Sequence, residues 1–257
     1  MPASFPSLPD WSPDAVVFDC DGTLVDNERH WQDARVRAFR EFGLRPPDGF
    51  ADRAKGVHYT DCGRMMAEAV DKPELSADLT RALLTHFMSL VTDDPVTMPG
   101  ASEVVHLLSG RLPLAVASNC PVEVVEMSLE IAGLRSHFQH VVVPTPAPHM
   151  SDGTGSSGEL DQPTVRPKPY PDVYAAAARL CGASPYLTLA VEDSPTGVKS
   201  ALAAGLRVLE VGARPIDGDP LRADLWLPSL NSPQLLAWAA GLAEGRTPKK
   251  QGRGMQH

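Results

Sequence analysis

A chain of 257 residues, 43% hydrophobic and 21% charged, is long enough for one large or two modest domains with buried cores. Its formal net charge of −9 excludes the basic face of a nucleic-acid binder, so an anionic ligand would need local cations set into an acidic background. No stretch approaches the length of a membrane-spanning helix, and the opening segment MPASFPSLPDWSPD lacks the basic start and apolar core of a secretory signal.

The apolar run Ala15-Val16-Val17-Phe18 predicts a buried strand that leads straight into Asp19-Cys20-Asp21-Gly22-Thr23. Side chains alternate along a strand, so Asp19 and Asp21 can point to one side. Gly22 lets the backbone turn sharply away. Paired carboxylates at such a turn suit a hard cation and covalent chemistry at a carboxylate. A solvated Asp-Gly turn is the plain alternative for the same residues. Cys20 would point away from both acids and reads as a small buried hydrophobe.

Residues 28–42 carry Trp31, Ala34, Ala38, Phe39 and Phe42 at helical spacing, closed by Gly43. Helical patterns also cover residues 60–70 and 76–91, the second opening on Ser76 as a cap. Strand signals resume at residues 114–117, 141–143, 187–191 and 207–211, separated by helices over 121–132, 171–180 and 195–204. Continuous apolar strands alternating with helices predict a parallel sheet covered on both faces.

The predicted fold class is therefore α/β: a doubly wound parallel sheet, Rossmann-like, with an inserted α-helical cap domain. Residues 14–27 and 93–240 form the core, 28–92 the cap, with hinges near 25–28 and 93–99. Residues 1–13 and 241–257 are expected to be flexible termini. Ligands in such sheets sit at the carboxyl ends of the strands, where three further motifs lie.

Ala117-Ser118-Asn119 follows the second strand and precedes Pro121. A hydroxyl and an amide at a helix start can hold phosphate oxygens alongside free backbone N–H groups, although either residue is also an ordinary helix cap. In Arg166-Pro167-Lys168-Pro169-Tyr170-Pro171-Asp172-Val173-Tyr174, Lys168 stands just upstream of a helix N-terminus. A cation opposes the macrodipole there unless an anion lies between them. Arg166 has no motif assignment and reads as a surface residue. Val191-Glu192-Asp193-Ser194-Pro195 ends a strand with two acids, and Ser194 already supplies the helix cap. With Asp19 and the Asp21 carbonyl, Glu192 and Asp193 would complete the all-oxygen ligand set that magnesium prefers.

These four segments resemble, in order, the signatures of the haloacid dehalogenase-like phosphohydrolases over about residues 16–211. The helical cap between the first and second is similar to the subgroup of sugar-phosphate phosphatases and β-phosphoglucomutases. The resemblance makes Asp19 the nucleophile and Asp21 the general acid/base. Ser118 takes the phosphate-binding position, with Asn119 beside it. Lys168 orients the nucleophile and neutralises the phosphoryl group. Asp193 becomes a direct Mg²⁺ ligand and Glu192 a water-bridged one. The implied activity is Mg²⁺-dependent hydrolysis of a small phosphate monoester, a sugar phosphate above all, through an aspartyl-phosphate.

Two departures favour hydrolysis over a mutase. Trp31 stands where the β-phosphoglucomutases have His, with His30 one place too early. Tyr59, in Lys55-Gly56-Val57-His58-Tyr59, replaces the mutase's phosphate-binding Arg. Trp31, Lys55 and His58 are the candidate cap contacts to substrate, with a solvated loop the alternative for the latter two. A β-phosphoglucomutase-type mutase remains the runner-up. A catalytically silent, ligand-binding relative is opposed by the intact Asp19, Asp21, Lys168 and Asp193. A dehalogenase reading is opposed by Asp21, which those relatives lack.

The segment 144–167, rich in Pro, Gly and Ser, is longer than usual for its place and is expected to be a mobile excursion. Cys20, Cys62, Cys120 and Cys181 are scattered, which fits neither a disulfide framework nor a zinc knuckle and points to a reduced, cytoplasmic setting. The expected partner is a small phosphorylated metabolite, with no nucleic acid, no membrane and a monomeric chain.

Overall fold

Four consecutive apolar residues make β1 (Ala15–Phe18) a strand buried on both faces. The computed structural model describes residues 11–54, 57, 59–93, 96–145, 164–213 and 223–244. Alternation splits β1 between two cores, Val16 and Phe18 on one face of the sheet and Val17 on the other. The chain then leaves the sheet for α1 (Glu28–Glu41), α2 (Phe50–Ala54), α3 (Tyr59–Glu68) and α4 (Ser76–Asp93). α4 packs along α1 and α3, burying Ala34, Phe39, Met66, Leu83 and Phe87. Phe39 meets Phe50 edge to face, with centroids 5.4 Å apart.

After the cap come α5 (Ala101–Leu108), β2 (Leu114–Ala117), α6 (Val122–Ile131) and β3 (His140–Val142). α7 (Asp172–Leu180), β4 (Thr188–Glu192), α8 (Pro195–Ala203), β5 (Arg207–Val211), β6 (Leu225–Leu227) and α9 (Pro233–Ala243) complete the order. The six strands form one wholly parallel sheet in the order β3-β2-β1-β4-β5-β6. β1 lies between β2 and β4, so residues following these three strands converge at one edge.

The α/β fold class agrees with the sequence reading, with instructive differences. β3 and β4 are displaced by one residue from expectation, toward His140 and Glu192 respectively. α2, α5, β6 and α9 were not anticipated; β6 has three residues, too few to show a period. Trp11 falls in the terminus expected to be flexible, yet its carbonyl accepts from Trp238 Nε1 at 3.0 Å and its ring stacks under Arg207. α9 continues three residues past the expected end of the core, to Ala243.

The two chain crossings into the cap hydrogen-bond to each other, Asp26 N to Val96 O at 2.8 Å and Met98 N to Leu24 O at 3.0 Å. Within the long connection, Thr145 N donates to Val165 O at 3.0 Å and Val165 N donates to Thr145 Oγ1 at 2.8 Å, which ties its two ends together. The expectations for residues 146–163 and for most of both termini lie outside the described residues. No described helix is long and apolar enough to cross a membrane.

Candidate active site

Asp19 leaves β1 with its amide still donating to Val191 O at 2.9 Å, so the nearest residue of β4 fixes its position. Its Oδ1 accepts from Lys168 Nζ at 2.6 Å, and the ammonium also donates to Glu192 Oε1 at 2.6 Å. The Lys168 side chain is 4% exposed, Asp19's 11% and Glu192's nil. Burial alone would lower the Lys168 pKa, but the two carboxylates outweigh it and push it above the ordinary lysine value. Burial pushes the Asp19 carboxyl well upward; Lys168 opposes this, while Glu192 and Asp193 add to it.

Three carboxylates, those of Asp19, Glu192 and Asp193, offer oxygens within 4.8 Å of one another. Gly22, with φ of 90°, lets Asp193 approach its backbone; a Cβ there would overlap the Asp193 carboxylate. These hard oxygen donors suit a divalent cation such as Mg²⁺. Glu192, expected as a water-bridged ligand, is one of these three carboxylates and is also heavily hydrogen-bonded. Its Oε1 accepts from Lys168 and Tyr174 Oη (2.9 Å), and its Oε2 from Asp193 N, Ser194 N and Ser194 Oγ, each at 3.1 Å. Five donors occupy both oxygens, so here Glu192 holds Lys168 and the start of α8 in place. Ser194 Oγ caps α8 by accepting from Gly197 N at 3.1 Å, as expected.

Asp21 is held from two sides. Asn27 Nδ2 donates to its Oδ1 at 2.8 Å, and the Cys120 thiol donates to its Oδ2 at 3.0 Å. Burial, then the charge of Asp21, pushes the Cys120 thiol well above its ordinary value, which keeps it a donor. Cys20 is fully buried, as expected of a small hydrophobe. Ser118 Oγ accepts from Cys120 N at 3.0 Å, which leaves its O–H able to donate into the cleft. Asn119, expected to bind phosphate, lines the cleft; its Oδ1 accepts from Lys168 N at 2.7 Å and its Nδ2 donates to Lys168 O at 3.2 Å. Both ends of the amide are used to position the lysine backbone. Arg166 is no idle surface residue. It donates twice to Asp172, at 2.9 Å each, and stacks over Tyr170, bracing the loop that delivers Lys168.

Above these groups lies a cleft open to solvent. Asp19, Asp21, Ser118, Asn119, Lys168 and Asp193 form its floor. Its roof comes from the cap: Glu28, Trp31, Arg35, Ala54, Val57, Tyr59 and Cys62. Trp31, expected to contact substrate, lines the cleft and stacks on Phe87 with centroids 3.7 Å apart and planes 16° apart. Lys55 and His58 lie outside the described residues. Glu28, Arg35, Cys62, Cys120, Asn27 and Tyr174 were given no role by the sequence reading.

A parallel sheet with acids at the ends of β1 and β4, Ser118 and Asn119 at the end of β2, and a helical roof defines a Rossmann-like core with a cap. The sequence profile of haloacid dehalogenase-like hydrolases matches residues 13–205. Hexitol phosphatase A of Escherichia coli (strain K12) is 33% identical over 220 residues, covering 83% of this chain and 90% of its own. The probable pseudouridine-5′-phosphatase of Drosophila melanogaster is 29% identical over 199 residues, covering 76% of this chain and 80% of its own. Among solved structures, CbbY from Rhodobacter sphaeroides in complex with phosphate superposes with a TM-score of 0.67 at 23% identity, covering 85% of this chain and 95% of that one. This chain belongs to the haloacid dehalogenase-like hydrolases.

Proposed function

We propose that the protein is a Mg²⁺-dependent phosphatase that hydrolyses a small sugar or polyol phosphate monoester through a phosphorylated Asp19. The observation that carries this reading is Lys168 Nζ, 2.6 Å from Asp19 and from Glu192 on the floor of a cleft that Asp21, Ser118 and Asp193 share. The two curated relatives are named as phosphatases of a hexitol phosphate and of pseudouridine 5′-phosphate, which supports a polyhydroxylated leaving group.

Asp19, the Asp21 carbonyl and Asp193 would hold the Mg²⁺. When bound, it cancels part of the negative charge shared by the phosphate and the three acids. Lys168 and the Ser118 hydroxyl bind phosphate oxygens. Asp19 Oδ attacks phosphorus, the ester P–O bond breaks, and Asp21 gives its proton to the departing alkoxide. Water enters once the alcohol has left. Asp21, now ionised, takes a proton from that water as it attacks the phosphorus of the aspartyl-phosphate. Inorganic phosphate leaves, and Asp19 is a carboxylate and Asp21 an acid once more. Glu192 and Tyr174 position Lys168; Asn27 and Cys120 position Asp21.

Phosphate release is to be measured across sugar phosphates, polyol phosphates, nucleotides and glycolytic esters, with Mg²⁺ and with chelator. The reading expects release from a sugar or polyol phosphate, lost with chelator and in Asp19→Asn. Release from none of them would overturn it. So would conversion of β-glucose 1-phosphate to glucose 6-phosphate that outruns phosphate release.

A further inference from the structure

Arg35 is a buried cation facing the substrate cleft with incomplete pairing. It lines the cleft and is 5% exposed, on the stripe of α1 that carries Trp31, Ala34 and Ala38 into the cap's core. Its Nη2 donates to Glu28 Oε1 at a long 3.3 Å. Its Nε is buried and has no hydrogen-bond partner. The Cys62 sulfur beside the guanidinium is a weak acceptor and does not replace an oxygen. Buried charged donors are normally saturated, and one that is not, at the edge of a ligand cleft, marks a place for a ligand acceptor.

We infer that Arg35 and Glu28 form the specificity pair of the cap, reading hydroxyl groups of the alcohol that leaves from the phosphate. A second phosphate or carboxylate fits poorly, because Glu28 already stands beside the guanidinium and repels it. Among the described residues that line the cleft, Lys168 and Arg35 carry fixed positive charge, against Asp19, Asp21, Glu28 and Asp193. A hydroxyl suits the pair, since it accepts from the guanidinium and donates to the carboxylate. Two neighbouring hydroxyls can engage both partners at once. The Trp31 ring next to them offers an apolar face to the carbon side of a polyol. Glu28 and Arg35 thus select a neutral, polyhydroxylated alcohol, while the core floor handles whichever phosphate is presented. This assignment rests on the phosphatase reading for its substrate and on the cleft geometry for its residues.

The test compares a hexitol phosphate with p-nitrophenyl phosphate, whose leaving group carries no second hydroxyl, for wild type, Arg35→Met, Arg35→Lys and Glu28→Gln. Arg35→Met is expected to lower the ratio of the two kcat/KM values at least about tenfold, the size of a lost hydrogen bond to a charged group. The loss should fall mainly in KM for the hexitol phosphate, and Arg35→Lys should recover part of it. Glu28→Gln, at a half-buried position, serves if Arg35→Met melts at a much lower temperature. A second arm measures binding of the hexitol phosphate and of inorganic phosphate to the Asp19→Asn protein by tryptophan fluorescence. Adding Arg35→Met should weaken the first at least about tenfold more than the second. Equal losses on both ligands, or an unchanged ratio, would overturn the assignment. If wild type turns over neither ester, the phosphatase reading fails, and the binding arm alone still decides the role of Arg35.

Discussion

The floor of the cleft is built from strand ends and its roof from helices, and the two hold their polar groups on different terms. On the floor Lys168 is engaged by Asp19 and Glu192 and Asp21 by Asn27 and Cys120, while Glu192 behind them accepts from five donors. In the roof, Arg35 has one long ion pair and an unpartnered Nε, set among Trp31, Ala54, Val57 and Cys62. A saturated network holds its geometry before substrate arrives, which is what positioning for phosphoryl transfer requires. An unsaturated one gains from binding, which is what discrimination requires. The proposed chemistry thus falls to the core and the proposed choice of substrate to the cap.

The largest test of this division is at Asp19 and Asp21. Asp19→Asn should lower turnover of every phosphate ester by about 10⁴-fold or more, without regard to leaving group, in steady-state phosphate release. Asp21→Asn should cost about 10²- to 10⁴-fold, and least for p-nitrophenyl phosphate, whose phenolate leaves without a proton. A floor variant that changed selectivity more than rate would break the comparison.

Stability separates the halves next. Mg²⁺ at about a hundredfold excess over its dissociation constant should stabilise the wild type by about 2.7 kcal/mol in thermal melts. Asp193→Asn should abolish that gain and Arg35→Met should not. Gly197 leaves room for the Glu192 carboxylate, which a Cβ would overlap, so Gly197→Ala should cost about 1–3 kcal/mol in denaturant melts and misplace Lys168. In chelator, the raised Asp19 pKa gives a stability contribution that is complete below about pH 3.9 and lost as pH rises through the folded-state value. Asp19→Asn should remove that decline, becoming more stable than wild type at pH 8 but not at pH 4 in metal-free melts. The smallest effect belongs to Arg166→Ala. It breaks a pair with Arg166 half-exposed and should cost less than about 1 kcal/mol, with kcat reduced more than KM is raised.

The same division governs what could be read from the sequence. The floor lies in short contiguous segments directly after strands, so Asp19, Asp21, Lys168 and Asp193 are visible as local patterns. Their partners are not, because a hydrogen bond from Cys120 to Asp21 or from Asn119 to Lys168 spans 99 or 49 positions. Position in a motif also tells less than the whole role: Asn119 and Glu192 stand where ligands are expected, and both also hold Lys168 through bonds the motif does not show. The roof is built at helical spacing, where Trp31 and Ala38 advertise a core and Arg35 passes for a solvated neighbour. The available signal was a charge inside the apolar stripe of α1, seven residues after Glu28 and four after Trp31. The cap boundaries and the roles of the site residues follow from this geometry as proposals.

The central claim is that phosphorus is transferred twice, first to Asp19 and then to water. The stereochemical course at phosphorus tests it most directly, using a sugar phosphorothioate whose two non-bridging oxygens are different isotopes. Each in-line displacement inverts the configuration, so two of them predict net retention in the thiophosphate released to water labelled with the third oxygen isotope. Net inversion would mean that water attacks the ester directly, and it would contradict a phosphorylated Asp19.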